Sequence, residues 1–452
     1  MLTYELKKSP GVPLYEALYR CIRADILSGK LIPDTKLPSK RALAEHLEVS
    51  KITVETAYGQ LLEEGYIRSA EKVGYFVEPI LQKMPAPAPG IKQEETPLAD
   101  TGAGPERFPF SVWSQLQREV MLDYGEKLLL PLQNQGSYEL RLAIADHLAE
   151  FRGMNVDPGN ILVGAGTDFL YNLLIQLLGR DKIYAVEEPG YDKIRKIYAA
   201  GGVRCVSTEM DRLGVVPEKL GKTEVLHISP AHHFPTGIVT PVSRRQALLR
   251  WAEQQDGYII EDDYDSEFRF DAHPMPTMMS LDPAGRVVYM NTFSKSLAPS
   301  IRISYMVLPD GMMAAFRREL GFYSCTVSSF EQYTLARFLS RGHFEKHINR
   351  MRRFYRRRRN NIMQLLAASA FAPRLQVREE DAGLHFLVKV DTELSDEALV
   401  ERCNLAGLSV RSLGSYYHGQ VPAEVAHTLV INYTALREEE LEAGMRRLEN
   451  LP

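Results

Sequence analysis

Cysteine, long apolar runs and net charge are all scarce in this chain. Its 452 residues include four cysteines, none of them spaced as CxxC. This usage indicates neither a disulfide framework nor a zinc site, and we predict no bound metal. No stretch approaches the roughly 18 apolar residues of a membrane span, and the first ten residues lack the apolar core of a signal peptide. We therefore expect a cytoplasmic protein with no membrane partner.

The formal net charge of −4 excludes a positive field over the whole molecule. Any contact with nucleic acid must then come from a local basic patch. Apolar residues make up 45% of the chain and charged residues 25%, values that are ordinary for a globular protein. The length is sufficient for two or three hydrophobic cores.

One segment has a composition unlike its surroundings. Residues 81–98 read LQKMPAPAPGIKQEETPL, and alternating Pro and Ala favour an extended chain that cannot build a core. We predict an interdomain linker there, between a domain of residues 1–80 and a domain of residues 99–452. The alternative is a loop inside one domain, but loops of that length are uncommon in compact domains.

The part after the linker alternates short apolar runs with helical patterns. Helical periodicity covers residues 168–178 and 244–255, for example. The predicted strands are Ile161–Val163, Ile183–Val186, Val225–Ile228, Tyr258–Ile260, Val287–Met290 and Ser304–Leu308. This alternation predicts an α/β fold around a buried, mostly parallel central sheet.

The first 80 residues predict a helix-turn-helix followed by a two-stranded wing. Ser39 and Ser50 are good N-caps for two short helices, and only a tight turn separates these helices. Two short strand patterns around a polar tip follow after Gly65. The N-terminal end of the second helix carries short donors and a lysine, which suit the edge of a DNA groove.

The text LPSKRALAEHLEVSKITVETAYGQLLEEGYI resembles the GntR-type winged helix almost position for position. The resemblance implies that this domain binds double-stranded operator DNA. The contacts that it implies come from Lys40, Arg41, Ser50, Lys51, Thr53 and Arg68. The alternative is a small helical domain that binds protein, because charges of the two signs are balanced over these residues.

Polar motifs follow several of the predicted strands of the larger domain. Asn291–Arg302 reads NTFSKSLAPSIR and places hydroxyls, an amine and a guanidinium in one loop. Asp262 and Tyr264 follow the strand that ends at Ile260. Carboxylates at strand ends lie where open α/β sheets bind ligands. Judged alone, these segments could be a solvated loop and an acidic turn or magnesium site.

A glycine-rich turn and an aromatic residue complete the set. Gly166 and Thr167 follow a strand and open a helix, so their N–H groups could hold a phosphate. Tyr191, in Pro-Gly-Tyr, could stack on a planar ring, or could merely anchor its loop. A reactive lysine, a carboxylate, a phosphate cradle and a stacking ring are together what pyridoxal 5′-phosphate (PLP) requires.

In this order, the motifs resemble fold-type I aminotransferases, which are PLP-dependent and have a large and a small lobe. Joined to a GntR-type domain, they resemble the MocR family of regulators, which includes GABA-responsive members. The resemblance implies a homodimer, with Tyr138 reaching the partner's site. It implies that Lys295 forms the Schiff base, Asp262 pairs with the pyridine nitrogen and Tyr264 bonds the ring oxygen. The cofactor-binding residues that it implies are Gly166, Thr167, Tyr191, Asp262, Tyr264, Thr292, Ser294, Lys295 and Arg302.

Two positions depart from the aminotransferase pattern. Phe234 stands where these enzymes have an asparagine before Pro-Thr-Gly, a replacement common in the MocR family. Val430 stands where they have a substrate-binding arginine. Arg411 is our candidate to bind an effector carboxylate instead, and a surface arginine is the alternative. Lys193 and Arg195 are weaker candidates.

The most basic segment is Arg350–Arg359, which reads RMRRFYRRRR. Apolar residues recur through it at helical spacing, which favours a structural helix with solvated arginines. An auxiliary contact with DNA is the alternative.

The sequence favours a PLP-dependent transcription regulator that senses an amino compound at Lys295, or PLP itself. The first alternative is an active aminotransferase with an accessory DNA-binding domain, which the missing C-terminal arginine weighs against. The second is a degenerate fold kept for dimerisation. If the chain is an enzyme, the resemblance implies that it is an aminotransferase, and we expect no physiological turnover.

Overall fold

The computed structural model describes residues 2–4, 6, 13–70, 73–79, 107–268, 275–378, 383–434 and 438–449. The chain divides into two compact units, Met1–Pro97 and Leu98–Pro452. The predicted linker, residues 81–98, lies outside the described residues, and the domain limits remain a prediction. None of the described helices is both long enough and apolar enough to cross a membrane.

The first unit has three helices and a two-stranded hairpin. These elements are α1 (Leu14–Leu27), α2 (Lys40–His46), α3 (Lys51–Glu63), β1 (Ile67–Ala70) and β2 (Gly74–Val77). Ser39 and Ser50 cap α2 and α3 as predicted, and their side chains accept the N–H groups of Ala42 and Thr53. Strands β1 and β2 pair antiparallel. The helices and the hairpin share one core that includes Ile22, Val54, Tyr58 and Leu61.

The second unit has twelve helices among its described residues. They are α4 (Phe110–Tyr124), α5 (Tyr138–Arg152), α6 (Thr167–Leu178), α7 (Asp192–Ala200), α8 (Val242–Gln254), α9 (Met278–Leu281), α10 (Phe293–Ser296), α11 (Asp310–Glu319), α12 (Ser329–Ser340), α13 (His343–Ala368), α14 (Asp396–Leu405) and α15 (Glu438–Glu449). Helix α6 matches the predicted helical pattern of residues 168–178, and α8 matches that of residues 244–255.

Eight strands of this unit form the central sheet. They are β3 (Ile161–Gly164), β4 (Ile183–Glu188), β5 (Arg204–Asp211), β6 (Gly214–Val215), β7 (Val225–Ile228), β8 (Tyr258–Asp262), β9 (Val287–Thr292) and β10 (Ser304–Val307). Their order is β3-β10-β9-β8-β7-β4-β5-β6. The five strands from β9 to β5 are parallel, whereas β10 is antiparallel to β9 and β3. The predicted α/β fold with a mostly parallel sheet is confirmed.

A second sheet forms the smaller lobe. Its strands are β11 (Leu375–Arg378), β12 (His385–Val390), β13 (Arg411–Ser412) and β14 (Thr428–Asn432). They pair antiparallel in the order β11-β12-β14-β13. Because β4, β7, β8 and β9 run parallel, their carboxyl ends lie at one edge of the central sheet. The loops that carry the predicted site residues begin at that edge.

Helix α13 contains the arginine-rich segment and buries one face, which includes Phe344, Ile348, Met351 and Tyr355. This buried face agrees with the prediction of a structural helix for the arginine-rich segment. Arg358 lies at the edge of the buried face. Its Nη1 donates to the carbonyl oxygens of Tyr433 and Thr434, and its guanidinium lies over the Phe354 ring.

We expect Arg358→Gln to lower the free energy of unfolding of this unit by about 1–3 kcal/mol. The loss removes hydrogen bonds from a charged donor to two partly buried carbonyls. The exposed neighbour Arg357 is the control, and Arg357→Gln should change stability by less than about 0.5 kcal/mol. Calorimetric unfolding of both variants measures the difference. Equal effects would show that the Arg358 contacts are not stabilising.

Candidate cofactor and DNA-binding sites

A pocket lies at the carboxyl edge of the central sheet. Its lining residues are Thr167, Tyr171, Val186, Glu187, Gly190, Tyr191, Ile194, Arg195, His227, Ser229, Phe234, Asp262, Tyr264, Thr292, Lys295 and His418. The predicted residues Thr167, Tyr191, Asp262, Tyr264, Thr292 and Lys295 thus share one cavity although they come from four separate segments. Lys295 lies in α10, which begins directly after β9.

Asp262, the last residue of β8, is 5% exposed. Its Oδ2 accepts the Tyr171 hydroxyl at 2.5 Å and lies 3.5 Å from Nε2 of His227. Oδ1 is buried and has no hydrogen-bond partner among the residues that the structure describes. A buried carboxylate oxygen without a donor is costly unless a ligand supplies one. The protonated nitrogen of a pyridine ring is a donor of the required kind.

Tyr171 and His227 connect Asp262 to a further residue. Nδ1 of His227 lies 2.7 Å from the Tyr198 hydroxyl. Burial, followed by the charge of Asp262, raises the pKa of Tyr171 well above its usual value, so its phenol keeps the proton that it donates. Tyr171 and His227 therefore both lie against Oδ2 of Asp262, and Tyr198 contacts His227 from behind.

The predicted phosphate cradle forms where α6 begins. Gly166 has φ +88°, and a Cβ added there would lie 2.3 Å from Nη2 of Arg302. The same Nη2 lies 3.3 Å from Asp168. Ser294 Oγ is buried and has no hydrogen-bond partner in the described ranges, whereas Thr292 Oγ1 accepts from Ser304 Oγ and from the Ser294 N–H. A guanidinium, an unpaired hydroxyl and a helix N-terminus suit a phosphate group.

We expect Gly166→Ala to weaken PLP binding by about tenfold or more. The new Cβ would displace the Arg302 guanidinium, and φ near +88° strains any residue other than glycine. Equilibrium dialysis with PLP measures the dissociation constants of Gly166→Ala and of the wild type. The control is Gly153→Ala, because this glycine also has positive φ but its Cβ would meet nothing within 4 Å. Equal losses in both variants would contradict a role for the Gly166 cradle.

Tyr264 and Tyr191 lie on different walls of the pocket. The Tyr264 hydroxyl is 3.5 Å from Nδ1 of His232, and the same nitrogen is 2.8 Å from Oδ2 of Asp265. The Tyr191 ring meets Phe234 edge-on, with ring centroids 6.0 Å apart. Phe234, which replaces the expected asparagine, thus supplies an apolar wall and no hydrogen bond from its side chain.

Glu187 and His233 form a neutral pair beside the pocket. Burial raises the pKa of Glu187 to about 8 and lowers the pKa of His233 to about 3. Nε2 of His233 and Oε2 of Glu187 are 3.5 Å apart. Both groups are uncharged at neutral pH, so their contact is not an ion pair. Glu187 is one of the two buried carboxyl groups that line the pocket, with Asp262, and its raised pKa keeps it protonated there.

Arg411 does not line this pocket. It is exposed on β13 and is the register partner of Val430 on β14. Directly opposed residues of antiparallel strands project from the same face of a sheet. Val430 itself belongs to an apolar cluster against which Phe234 packs. Arg411 thus lies one strand away from Val430, the position of the usual substrate-binding arginine, and on the same face of the sheet. It is not among the residues that line the cavity.

Lys193 and Arg195, the weaker candidates, differ in position. Lys193 is paired with Asp168 at 2.7 Å, whereas Arg195 lines the pocket.

In the first unit, the predicted DNA-binding residues fall into two groups. Arg41 and Lys51 are exposed and form no ion pair with the described part of the chain. Lys40 is paired with Glu55 at 2.7 Å, and Arg68 with Asp34 at 2.6 Å. Ser50 Oγ and Thr53 Oγ1 lie 2.8 Å apart at the start of α3.

Several residues of both sites were missed by sequence reasoning. Tyr171, Tyr198 and His227 contact the Asp262 network but belong to no motif. Tyr171 could have been found, since it lies four residues after Thr167 on the same face of α6. Ile52, which is 74% exposed near the start of α3, was not among the predicted DNA-binding residues. Over the described ranges, no group of three or more His, Cys, Asp or Glu is arranged to hold a metal.

The two units match two known families. Residues 14–77 match the bacterial regulatory proteins of the GntR family, and residues 104–448 match aminotransferase class I and II. The structure of kynurenine aminotransferase from Pyrococcus horikoshii is similar, with a TM-score of 0.67 and 26% identity over 78% of this chain and 89% of that one. The second unit is therefore a fold-type I aminotransferase domain, the fold of PLP-dependent enzymes.

Whole-length relatives combine both units. The HTH-type regulator YhdI of Bacillus subtilis is 36% identical over 99% of this chain and 97% of its own length. The probable rhizopine catabolism regulatory protein MocR of Rhizobium meliloti is 31% identical, over 98% and 95%. The pyridoxine biosynthesis regulator PdxR of Corynebacterium glutamicum is 32% identical, over 88% and 87%.

The chain belongs to the MocR-type GntR family of transcription regulators. The interpretation as a PLP-dependent DNA-binding regulator is confirmed over the aminotransferase alternative.

Proposed function

We propose that this regulator carries PLP on Lys295 and alters its DNA binding when a small amino compound enters the same pocket. The observation that carries the proposal is the unpartnered Oδ1 of buried Asp262, in the cavity that also contains Lys295. An anionic oxygen of this kind favours a protonated pyridine nitrogen, and Lys295 is the primary amine in the same cavity.

In this proposal, different residues of the chain bind different parts of the cofactor. When bound, PLP supplies an aldehyde that condenses with primary amines. Asp262 accepts the ring N–H, and the Tyr264 phenol donates to the ring oxygen. Tyr191 covers one ring face. The phosphate ligands are Gly166, Thr167, Thr292, Ser294 and Arg302.

The effector is an amino compound with a carboxylate, and Arg411 is the candidate to bind that group. Its position opposite Val430 supports this role because both residues project from one sheet face. Arg411 would have to approach the pocket when the effector binds, so the proposal requires movement of the smaller lobe. PLP itself is the alternative effector, which the name of the PdxR relative favours.

We propose a homodimer whose two first units bind two half-sites of one operator. Tyr138 is 55% exposed at the start of α5, and it reaches the partner's pocket in this proposal. Arg41, Lys51, Ser50 and Thr53 contact DNA directly. Lys40 and Arg68 must first exchange their carboxylate partners for phosphates. Occupancy of the pocket and DNA affinity are then linked through the dimer.

The test is an absorbance titration of the full-length PLP-bound protein with a panel of amines and amino acids. We expect one compound class to change the visible spectrum and, in parallel, the affinity for DNA selected by the wild-type protein. An oxo-acid acceptor is added in a second series. Spectral change without sustained product formation supports the regulator. Sustained turnover without any effect on DNA binding would contradict it.

The same preparation distinguishes the two effectors. If PLP itself is the signal, removing PLP alters DNA affinity and no amine adds to the change. If an amino compound is the signal, the holoprotein responds to that compound and Arg411→Ala weakens the response.

A further inference from the structure

Helix α13 has an outer face that the fold itself does not use. The helix spans 26 residues, and its arginines serve different purposes. Arg352 donates to the carbonyl of Glu267, and Arg358 donates to two carbonyls of the smaller lobe. These two arginines fasten the helix to the rest of the unit. They account for only part of the basic segment.

The remaining cations of interest are Lys346, Arg350, Arg353 and Arg357, which we call the cationic stripe. All four are exposed. Their spacing of four, three and four residues places them along one face of the helix. Within the part of the chain that the structure describes, none of them forms an ion pair with a carboxylate. Four like charges at this spacing repel one another and destabilise the helix, so their charges do not serve its stability.

The length and charge of the cationic stripe indicate its ligand. Eleven helical steps of about 1.5 Å extend the stripe over roughly 16 Å. A small anion would contact one or two of the four cations. Duplex DNA presents about one phosphate per 1.7 Å of its axis, so it offers partners to every cation of the stripe at once. Arginine also binds phosphate through two parallel hydrogen bonds.

We propose that the cationic stripe is a second, sequence-independent contact with the DNA backbone, made by the aminotransferase-like unit. It reads no bases, because phosphate contacts carry affinity and position but no sequence information. The inference does not depend on the effector proposed above. The chain has a net charge of −4, so its overall field repels DNA. A local basic patch on this unit would offset that repulsion.

The test compares two charge-matched triple variants of the full-length protein. The stripe variant carries Arg350→Gln, Arg353→Gln and Arg357→Gln. The control variant carries Arg204→Gln, Arg212→Gln and Lys222→Gln, three exposed cations of the same unit. Both lose three positive charges. Binding to a labelled duplex of arbitrary sequence is measured by anisotropy between low and physiological salt.

We expect the slope of log affinity against log salt concentration to become shallower by about 2 to 3 in the stripe variant, since each phosphate contact contributes about 0.9. The control variant should keep the wild-type slope. The spectrum of bound PLP and the response to amines should be unchanged in both, so failure here is distinguishable from failure of the proposed effector mechanism.

Equal slopes in the stripe and control variants would overturn the proposal. A stripe variant whose molar mass by light scattering differs from the wild type, with an unchanged slope, would also overturn it. That result would assign the stripe to a contact between subunits. An unfolding temperature of the stripe variant at or above that of the wild type ensures that a loss of slope reflects lost contacts and not a misfolded helix.

Discussion

Replacing Lys295 by alanine is expected to abolish both covalent attachment of PLP and any response to amines. Lys295 is the lysine that lines the pocket beside Asp262 and Tyr264, and only a primary amine can condense with the PLP aldehyde. The cradle around Arg302 would still bind the phosphate, so cofactor retention should fall rather than vanish. Reduction with borohydride followed by peptide mass analysis should find an adduct on Lys295 in the wild type and none in Lys295→Ala.

Lys193→Ala is the matched control for this experiment. Lys193 lies near the cradle but is paired with Asp168 at 2.7 Å, so its loss should leave the adduct on Lys295 intact. An amine-dependent change in DNA binding that persisted in Lys295→Ala would show that the effector acts elsewhere. The cofactor would then be structural.

The elements of the fold could be predicted because each one is encoded locally. The strand runs that end at Ile228, Ile260 and Met290 are short, apolar and bounded by polar loops, and parallel strands buried on both faces have this pattern. Ser39 and Ser50 predicted two helix starts because a side-chain oxygen is needed there. The antiparallel direction of β10 was not predictable, since strand direction depends on pairing between distant segments.

The site could be predicted less completely than the fold. Asp262, Tyr264 and Lys295 lie in motifs, and a shared sheet edge brings them together. Tyr198 and His227 act on Asp262 only through side-chain contacts across the sheet, and no spacing along the sequence encodes such contacts. Arg411 illustrates the limit of a position inferred from resemblance, and its role stays a proposal. Its resemblance to a carboxylate-binding residue was apparent from sequence, but its distance from the cavity depends on how the two lobes close.

The roles of the individual arginines in helix α13 could be assigned only from the structure. From the sequence alone, a structural helix and a DNA contact are exclusive alternatives for Arg350–Arg359. Arg352 and Arg358 fasten α13 to backbone carbonyls, whereas Arg353 and Arg357 face solvent. Helical geometry assigns neighbouring arginines to different sides, so both interpretations can hold for one segment.

Asp262 and its neighbour Asp263 should respond in opposite ways to the same substitution. Asp263 is 1% exposed, and its Oδ2 lies 2.8 Å from Nη2 of Arg152 and accepts the Tyr289 hydroxyl at 2.6 Å. Removing one partner of such a buried pair leaves an uncompensated charge and costs about 3–5 kcal/mol. Asp263→Asn should therefore destabilise the PLP-free and the PLP-bound protein by similar amounts.

Asp262→Asn should instead spare the PLP-free protein. Asp262 lines the pocket, and its Oδ1 has no hydrogen-bond partner among the described residues. Neutralising the side chain therefore removes a buried charge that, without PLP, is stabilised only through Oδ2 by Tyr171 and the nearby His227. Cofactor binding should suffer, since a charge-assisted hydrogen bond is worth about 1.5–3 kcal/mol, or roughly 10- to 150-fold in affinity.

Thermal unfolding with and without PLP separates the two variants. Ligand binding stabilises a protein in proportion to the logarithm of one plus the ratio of ligand concentration to Kd. At one PLP concentration, PLP should therefore raise the unfolding temperature of Asp263→Asn but scarcely that of Asp262→Asn. If Asp262→Asn unfolded much earlier than the wild type in the absence of PLP, its carboxylate would be a structural group. The assignment of Oδ1 to the cofactor would then fail, because the fold itself would already be using that oxygen.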